Sequence, residues 1–396
     1  MIPYGRQDIN QADIDAAVEV LRSDFLTQGP MVPAFEEAIA AKVGAKHAIA
    51  VNSATSALHI ACLALELGPG DYLWTVPNSF VASANCGRYC GAEVDFVDID
   101  PLTWNLCPQK LREKLIQAKK EDRLPKIVVP VLFAGQPTDQ EAIWELSREY
   151  GFRVIEDASH AIGASRNGEP VGSCQWSDIT ILSFHPVKII TAGEGGMALT
   201  NDDSLSKSMS MLRSHGIIRD PAWRLTDQHE TEMPYVPERR SALWYYEQQT
   251  LGYNYRMTEI QAALGLSQLQ RLDTFIERRN TLAQRYNQEL KGLPLRLPTI
   301  LPGNRSSFHL YVIRLNLDSM TKTHRQVFDE LWERGIAVNV HYMPVHLQPY
   351  YRELGFRPNQ YPESEAHGDE AITIPLFPAL KDQEQDHVIT SLRDIL

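Results

Sequence analysis

The sequence predicts an α/β protein built on a doubly wound, mostly parallel sheet of seven strands, followed by a smaller C-terminal α/β domain. Three observations carry this reading. Seven short apolar runs recur through the first two-thirds of the 396 residues. Amphipathic helical stretches separate them. Several of the runs are apolar on both faces, as strands buried between two helical layers must be. Hydrophobic residues make up 43% of the chain, enough to bury a sizeable core, which excludes a disordered chain and a disulfide-stapled miniprotein.

The runs are HAIAVN (47–52), YLWTV (72–76), VDFV (94–97), KIVVPVLF (126–133), RVIED (153–157), DITILSF (178–184) and GMALTN (196–201). Helical patterns such as 107–120 and 138–150 lie between them. From about 202 to 250 the periodicity loosens, and the segment reads as a long loop that Trp223, Tyr235, Trp244, Tyr245 and Tyr246 give something to pack. A loop of that length is more often functional or interfacial than idle. A single long helix is expected from Thr258 to about Leu290. A strand (LYVIRLNL), a helix (HRQVFDELWERG), a strand (IAVNV) and a helix near 382–395 then form a βαβα set. The expected division is a large domain over 1–235 and a smaller one over 236–396.

Charge and cysteine usage narrow the function. The net charge is −12, which lacks the electrostatic footprint of a nucleic-acid binder, although amides and a few cations can still hold an anion locally. The cysteines Cys62, Cys86, Cys90, Cys107 and Cys174 are an odd, sparse set, expected as reduced thiols of a cytoplasmic protein. Cys86 and Cys90 sit four apart on a helix, but two ligands do not make a metal site, and no metal is expected. MIPYGRQDIN has no apolar signal region. The longest uncharged stretch, His47 to Leu65, is too polar to span a membrane.

Four motifs carry chemistry. In SFHPVKIITAGEGG (183–196), Lys188 follows a strand end in a short turn, beside glycines that let backbone approach closely. A lysine held there suits a Schiff-base nucleophile, provided that burial keeps it partly deprotonated. In VIEDASHAIGA (154–164), Asp157 ends a buried strand. A buried carboxylate should face a cation, and a protonated pyridine nitrogen is one, although an Asp there can also cap the next helix. NSATSAL (52–58) passes from a strand into a helix through small hydroxyl residues, an anion site or simply an N-cap. In VPNSFVASAN, Phe80 is either a stacking face for a flat ring or core packing.

Together these motifs resemble the fold-type I, aspartate aminotransferase-like, pyridoxal phosphate (PLP) enzymes. Within them the chain is similar to the DegT/DnrJ/EryC1/StrS sugar aminotransferase family. FLTQGPMVPAFEEAIA, GAEVDFVDIDPLTWN, FAGQPTD, LGYNYRMTEIQAALGLSQL and HYMPVHLQPYY extend the resemblance over nearly the whole chain. The resemblance implies that Lys188 bonds the cofactor and shuttles protons. Asp157 would pair with the pyridine nitrogen, and His160, where many members have Gln, would hydrogen-bond the phenolic oxygen. Ala54, Thr55 and Ser183 would hold the phosphate, and Phe80 would stack on the ring. Asn254, with Arg256 close by, would reach the neighbouring subunit's cofactor, making a homodimer with shared sites. Tyr4, Arg6, Thr27, Gly29 and Arg256 are the implied substrate contacts. At VLFAGQP the chain departs from the His-Leu-Tyr-Gly of many relatives: Leu132, Phe133 and Ala134 replace that polar set.

The implied reaction moves the amino group of glutamate to C4 of a nucleotide-linked 4-keto-6-deoxy sugar. IPYGRQDIN, SDFLTQGP, the Ser–His form of EDASHA and LRSHGIIRD point to the branch of the family that acts on a UDP-linked sugar on the way to pseudaminic acid. A PLP-dependent sugar dehydratase would carry His in place of Lys188, and a non-catalytic regulator would have lost Lys188 or Asp157, so both are disfavoured. His341 and His346 sit five apart in VNVHYMPVHLQPYY without further ligands, and are expected near a subunit interface rather than at a metal.

Overall fold

The structure is a computed structural model and describes residues 1–220 and 244–396. Each of the seven expected runs forms a strand: β1 His47–Val51, β2 Tyr72–Thr75, β3 Glu93–Phe96, β4 Ile127–Val129, β5 Arg153–Asp157, β6 Ile179–Ser183 and β7 Gly196–Thr200. They make one sheet in the order β1-β7-β6-β5-β4-β2-β3. Its pairings are parallel except those of β7, which runs antiparallel to both β6 and β1. The run at 126–133 is shortened because Pro130 has no amide to donate to the ladder. Pairing resumes at a Val131–Asp157 bridge.

The helices that position the site are α1 Gln11–Arg22, α2 Met31–Val43, α3 Ala54–Ala64, α4 Ala82–Tyr89, α5 Pro108–Lys120, α6 Gln140–Tyr150, α7 Asp203–Arg213, α8 Glu259–Leu269, α9 Leu272–Glu289, α10 His324–Glu333 and α11 Asp382–Ile395. They cover both faces of the sheet. Ile127 and Val129 join the core that includes Leu58, Cys62 and Met209 of α3 and α7, whereas Val128 between them packs with Leu111, Leu115, Ile143 and Leu146 of α5 and α6. This two-sided burial, at about 1.5–3 kcal/mol per large apolar side chain, explains why the strands read as continuous apolar runs.

Four expectations are corrected. Residues 203–213 are helix, not loop. Asp202 caps it, accepting from the amides of Ser204 and Leu205 at 2.7 and 3.0 Å. Leu205, Met209 and Leu212 had the helical spacing, diluted by serines. Trp244 and Tyr246 are exposed in this chain rather than packed; Trp223 and Tyr235 lie outside the described residues. The long helix over 258–290 is two, α8 and α9, because Arg271 at the break is drawn to Asp8 and Asp13, at 2.8 and 2.5 Å. In IAVNV only Ile336–Ala337 is strand, and it pairs in parallel with Ile2–Pro3. The smaller sheet is antiparallel instead: β8 Leu295–Arg296, β9 Tyr311–Leu315 and β10 Ala371–Ile374. β10 shows no period in the sequence because Ala371, Ile372, Thr373 and Ile374, between Glu370 and Pro375, are too short a run.

The Ile2–Pro3 pairing brings the N-terminus to the smaller sheet, and Leu376 donates its amide to the Tyr4 carbonyl at 3.0 Å. Nearby, Arg279 is buried on α9 with three carbonyls as its partners, those of Phe308, His309 and Leu376, at 3.0–3.2 Å. Arg279→Met orphans all three and should cost about 3 kcal/mol of stability in a urea titration. The half-exposed Arg278, which bonds the Leu380 carbonyl and Asp382, should cost under about 1 kcal/mol when changed to Met. Equal losses would refute the role given to Arg279.

Candidate active site

A cleft of about 930 Å³ opens at the carboxyl ends of β1, β2, β5 and β6, where ligands of a doubly wound sheet bind. At one end β1 gives way to α3. Ser53 has extended backbone and its Oγ accepts from the Ser56 amide at 3.1 Å, while Ser56 Oγ donates to Asn52 Oδ1 at 2.7 Å. These bonds fix the first turn of α3, where Ala54 and Thr55 line the cleft with amides that have no helical partner. Ser183, ending β6, lines the same cleft. Gly196 makes this approach possible. A Cβ there would lie 2.4 Å from the Ala54 nitrogen and 2.5 Å from the Ser53 carbonyl oxygen, so only glycine lets β7 start against the helix end. The arrangement can hold a phosphate.

Asp157 ends β5 and is 5% exposed. Its Oδ2 accepts from Ser83 Oγ at 2.6 Å and its Oδ1 from the Ser159 amide at 3.1 Å. Among the described residues it forms no ion pair. A buried carboxylate held by neutral donors alone leaves its charge to be met by a bound cation.

Lys188 follows in the turn after β6, closed by its own amide donating to the His185 carbonyl at 2.9 Å. Burial pulls its ammonium down to about 8, against the opposing pull of Asp157. About a tenth is therefore free amine at pH 7, against under about a thousandth for an ordinary lysine, as a carbonyl nucleophile requires. Phe80 is 60% exposed on the cleft wall, which is not core packing; it offers an open aromatic face.

His160 is buried. Its Nδ1 accepts from the Ala134 amide at 3.3 Å, and its Nε2 lies 3.3 Å from the Tyr342 hydroxyl. Burial, then the Lys188 charge, pushes the imidazole well below its usual range, so it is neutral. Tyr4 reaches the cleft through the N-terminal strand.

The other expected contacts lie elsewhere in this chain. Arg6 and Thr27 are exposed and do not line the cleft. Gly29 is packed so closely that a Cβ would lie 2.7 Å from Glu259 Oε2. That closeness lets Glu259 accept the Met31 amide at 2.7 Å and cap α2. Asn254 is exposed, on a short bridge to Ser214, and Arg256 donates to Ser214 Oγ at 2.9 Å. Among the described residues the cleft is lined by no arginine.

The structure also brings in residues that the motifs did not single out. Ser83 was legible, four residues after Ser79 in VPNSFVASAN. His309 and Tyr342 were not. Both line the cleft, from the residues just before β9 and from the segment after Ile336–Ala337. His341 lines the cleft too, with its Nδ1 2.8 Å from Thr373 Oγ1, while His346 is buried against Glu365 at 3.1 Å. The five cysteines are free thiols. No cluster of three or more His, Cys, Asp or Glu suited to a metal occurs among the described residues, nor any helix long and apolar enough to cross a membrane.

Comparison with known proteins yields consistent matches. The model of the DegT/DnrJ/EryC1/StrS aminotransferase family matches residues 7–393. The spore coat polysaccharide biosynthesis protein SpsC of Bacillus subtilis is 36% identical, over 100% of this chain and 97% of its own. Among solved structures, Helicobacter pylori PseC, an aminotransferase involved in the biosynthesis of pseudoaminic acid, superposes with a TM-score of 0.87 at 30% identity, covering 100% of this chain and 98% of its own. The sugar aminotransferase Spr1654 of Streptococcus pneumoniae, described as putative and solved in its pyridoxamine phosphate form, gives a TM-score of 0.87 at 28% identity, covering 100% and 99%. It has also been solved in its PLP form.

Proposed function

Because the chain belongs to the DegT/DnrJ/EryC1/StrS aminotransferase family, and is thus a PLP-dependent sugar aminotransferase, we propose that it transfers the amino group of glutamate to C4 of UDP-2-acetamido-2,6-dideoxy-β-L-arabino-hex-4-ulose, giving UDP-4-amino-4,6-dideoxy-N-acetyl-β-L-altrosamine. The observation that carries the chemistry is the buried Asp157, which forms no ion pair among the described residues, in one cleft with Lys188, whose ammonium burial pulls down to about 8. PLP, when bound, supplies an electron sink that makes the donor's Cα proton labile. Asp157 holds the pyridine nitrogen's charge. The Ala54 and Thr55 amides with Ser183 hold the phosphate, Phe80 covers a ring face, and His160 donates to the phenolic oxygen. Lys188 Nζ takes the Cα proton and returns it, and the same amine serves both halves of the reaction run in opposite directions.

The likeness to PseC, an aminotransferase of pseudoaminic acid biosynthesis, supports this reading; the alternative is another nucleotide-linked 4-keto sugar, on dTDP or GDP. The free thiols support a cytoplasmic location. The test is incubation with glutamate and a panel of nucleotide-linked 4-keto sugars, read by mass spectrometry. The UDP-linked sugar should gain the amine. A visible absorbance that does not change with glutamate alone would sink the donor assignment.

The placement of Asn254, exposed, and of Arg256, bonded to Ser214 outside the cleft, supports a site completed by a second copy, with both residues reaching the partner's cleft. Mixing inactive Lys188→Ala with impaired Asn254→Ala subunits should then restore partial activity, because one of the two sites in the heterodimer is intact. No recovery despite demonstrated subunit exchange would return Asn254 to its own subunit. Arg256→Ala should raise the KM for the nucleotide sugar far more than that for glutamate, since only the sugar carries a diphosphate. An equal rise in both would move Arg256 to the cofactor or the donor carboxylate.

A further inference from the structure

We propose that the turn at residues 132–136 fixes His160 as the neutral, Nε2-protonated tautomer, so that a hydrogen-bond donor is permanently presented to the cleft. The argument rests on direction. A backbone amide can only donate. The Ala134 amide points at His160 Nδ1, so Nδ1 carries a lone pair, and the one ring proton of a neutral imidazole sits on Nε2. Nε2–H is the ring's one donor to the cleft: the Tyr342 oxygen, 3.3 Å away, accepts it here, and in the proposed function the cofactor's phenolic oxygen takes it over. Burial pushes the Tyr342 phenol up, so it keeps its own proton, and accepting from His160 turns that proton away from the imidazole.

The turn is built to aim this amide. Ala134 takes a left-handed conformation, φ 55° and ψ 5°, a local cost for a residue with a Cβ. Buried Asn105 holds both sides of it. Its Oδ1 accepts from the Phe133 amide at 2.9 Å, and its Nδ2 donates to the Gln136 carbonyl at 3.1 Å. Gly135 follows at φ 99°, where a Cβ would lie 2.3 Å from Ser307 Oγ. That same hydroxyl donates to the His160 carbonyl at 2.8 Å, so the turn holds the ring of His160 while Ser307, packed against Gly135, holds its backbone. The titratable groups around the imidazole are Lys188, His309, with rings 4.4 Å apart, His341 and Tyr342. The cationic forms of the first three oppose a charge on His160. The departure of Leu132, Phe133 and Ala134 from the relatives' polar set therefore has a use: the turn contacts the cofactor's neighbour through backbone, and Ala134 is a positioning residue.

The test uses the holoenzyme labelled with ¹⁵N-histidine, His160 being assigned by difference from His160→Gln. Its nitrogens should show the neutral Nε2–H pattern between pH 6 and 8. An Nδ1–H or doubly protonated ring overturns the proposal, whatever the cofactor contact. Ala134→Pro removes the amide, and Asn105→Ala, less disruptive, frees the turn. A Nδ1–H population should appear in whichever variant keeps its fold, and an unchanged pattern overturns the assignment to this turn. A second readout rests on the proposed cofactor contact and fails separately. The Gln amide superposes on Nε2 and the Asn amide on Nδ1. The pH midpoint of the bound cofactor's visible absorbance should therefore stay put in His160→Gln and shift by about one pH unit in His160→Asn. The opposite pattern overturns the presentation of the donor at Nε2. No shift in either variant removes only the cofactor contact of the proposed function.

Discussion

Lys188→Ala should reduce amino transfer by more than about 10⁴-fold, the largest effect expected of any single change. The reason is double. In the proposed function the amine bonds the cofactor and is also the base that moves the donor's Cα proton, so no neighbouring group replaces it. His160, His309 and His341 share the cleft, but burial pushes all three below the usual imidazole range and leaves them weak bases. Lys188→Arg should be equally inactive, because a guanidinium stays protonated and forms no imine. The depressed ammonium gives an independent arm. In apoprotein, the rate of Lys188 modification by an amine-selective reagent should rise with pH to a midpoint at about 8, because the free amine is the reactive form. A midpoint near that of ordinary lysines would mean that the turn after β6 is more open than described. Activity retained in the alanine variant would remove Lys188 from the chemistry altogether.

Asp157→Asn should lower the rate by about 10²- to 10⁴-fold, the equivalent of roughly 3–5 kcal/mol for removing one partner of a buried charge pair. The change is nearly isosteric, and an amide can still satisfy both neighbours. Its oxygen can accept from the Ser159 amide and its nitrogen can donate to Ser83 Oγ, which now sit at 3.1 and 2.6 Å. The apoprotein should therefore be as stable as the parent or slightly more so, since a buried charge without a counter-ion is costly. Calorimetry of the apoprotein and kinetics of the holoenzyme separate the two readings of this residue. A helix cap would lose stability and keep its rate; a partner for a bound cation loses rate and keeps stability. A near-normal rate would give the electronic role to another group.

The pieces of this site were unequally visible. Lys188, Asp157, Ala54, Thr55 and Ser183 stand at the ends of strands that announce themselves as apolar runs, and a parallel sheet gathers the carboxyl ends of its strands along one edge. Their meeting in one cleft follows from local signals plus one topological rule. Gly196 was legible for the same reason, since a glycine pair opening a strand implies close backbone approach. Ser83 lies in the first turn of α4, within the motif that also supplies Phe80.

The sequence by itself determined the seven-stranded sheet, the strand-end chemistry and the family resemblance, because each is written in contiguous residues whose period reflects burial on a nearby surface. Only the tertiary structure decided what comes from far away in the chain. The break between α8 and α9 exists because Asp8 and Asp13 recruit Arg271, and β10 exists because β9 offers it an edge. Tyr4, His309, His341 and Tyr342 enter the cleft through the pairing of Ile2–Pro3 with Ile336–Ala337 and the path of the chain into β9. Ala134 is the clearest case. As a residue type it carries no hydrogen-bonding side chain, and its part is played by a backbone amide whose direction is set by Asn105 and a positive φ. Side-chain identity cannot encode the aim of a main-chain dipole; the three-dimensional path of the chain does.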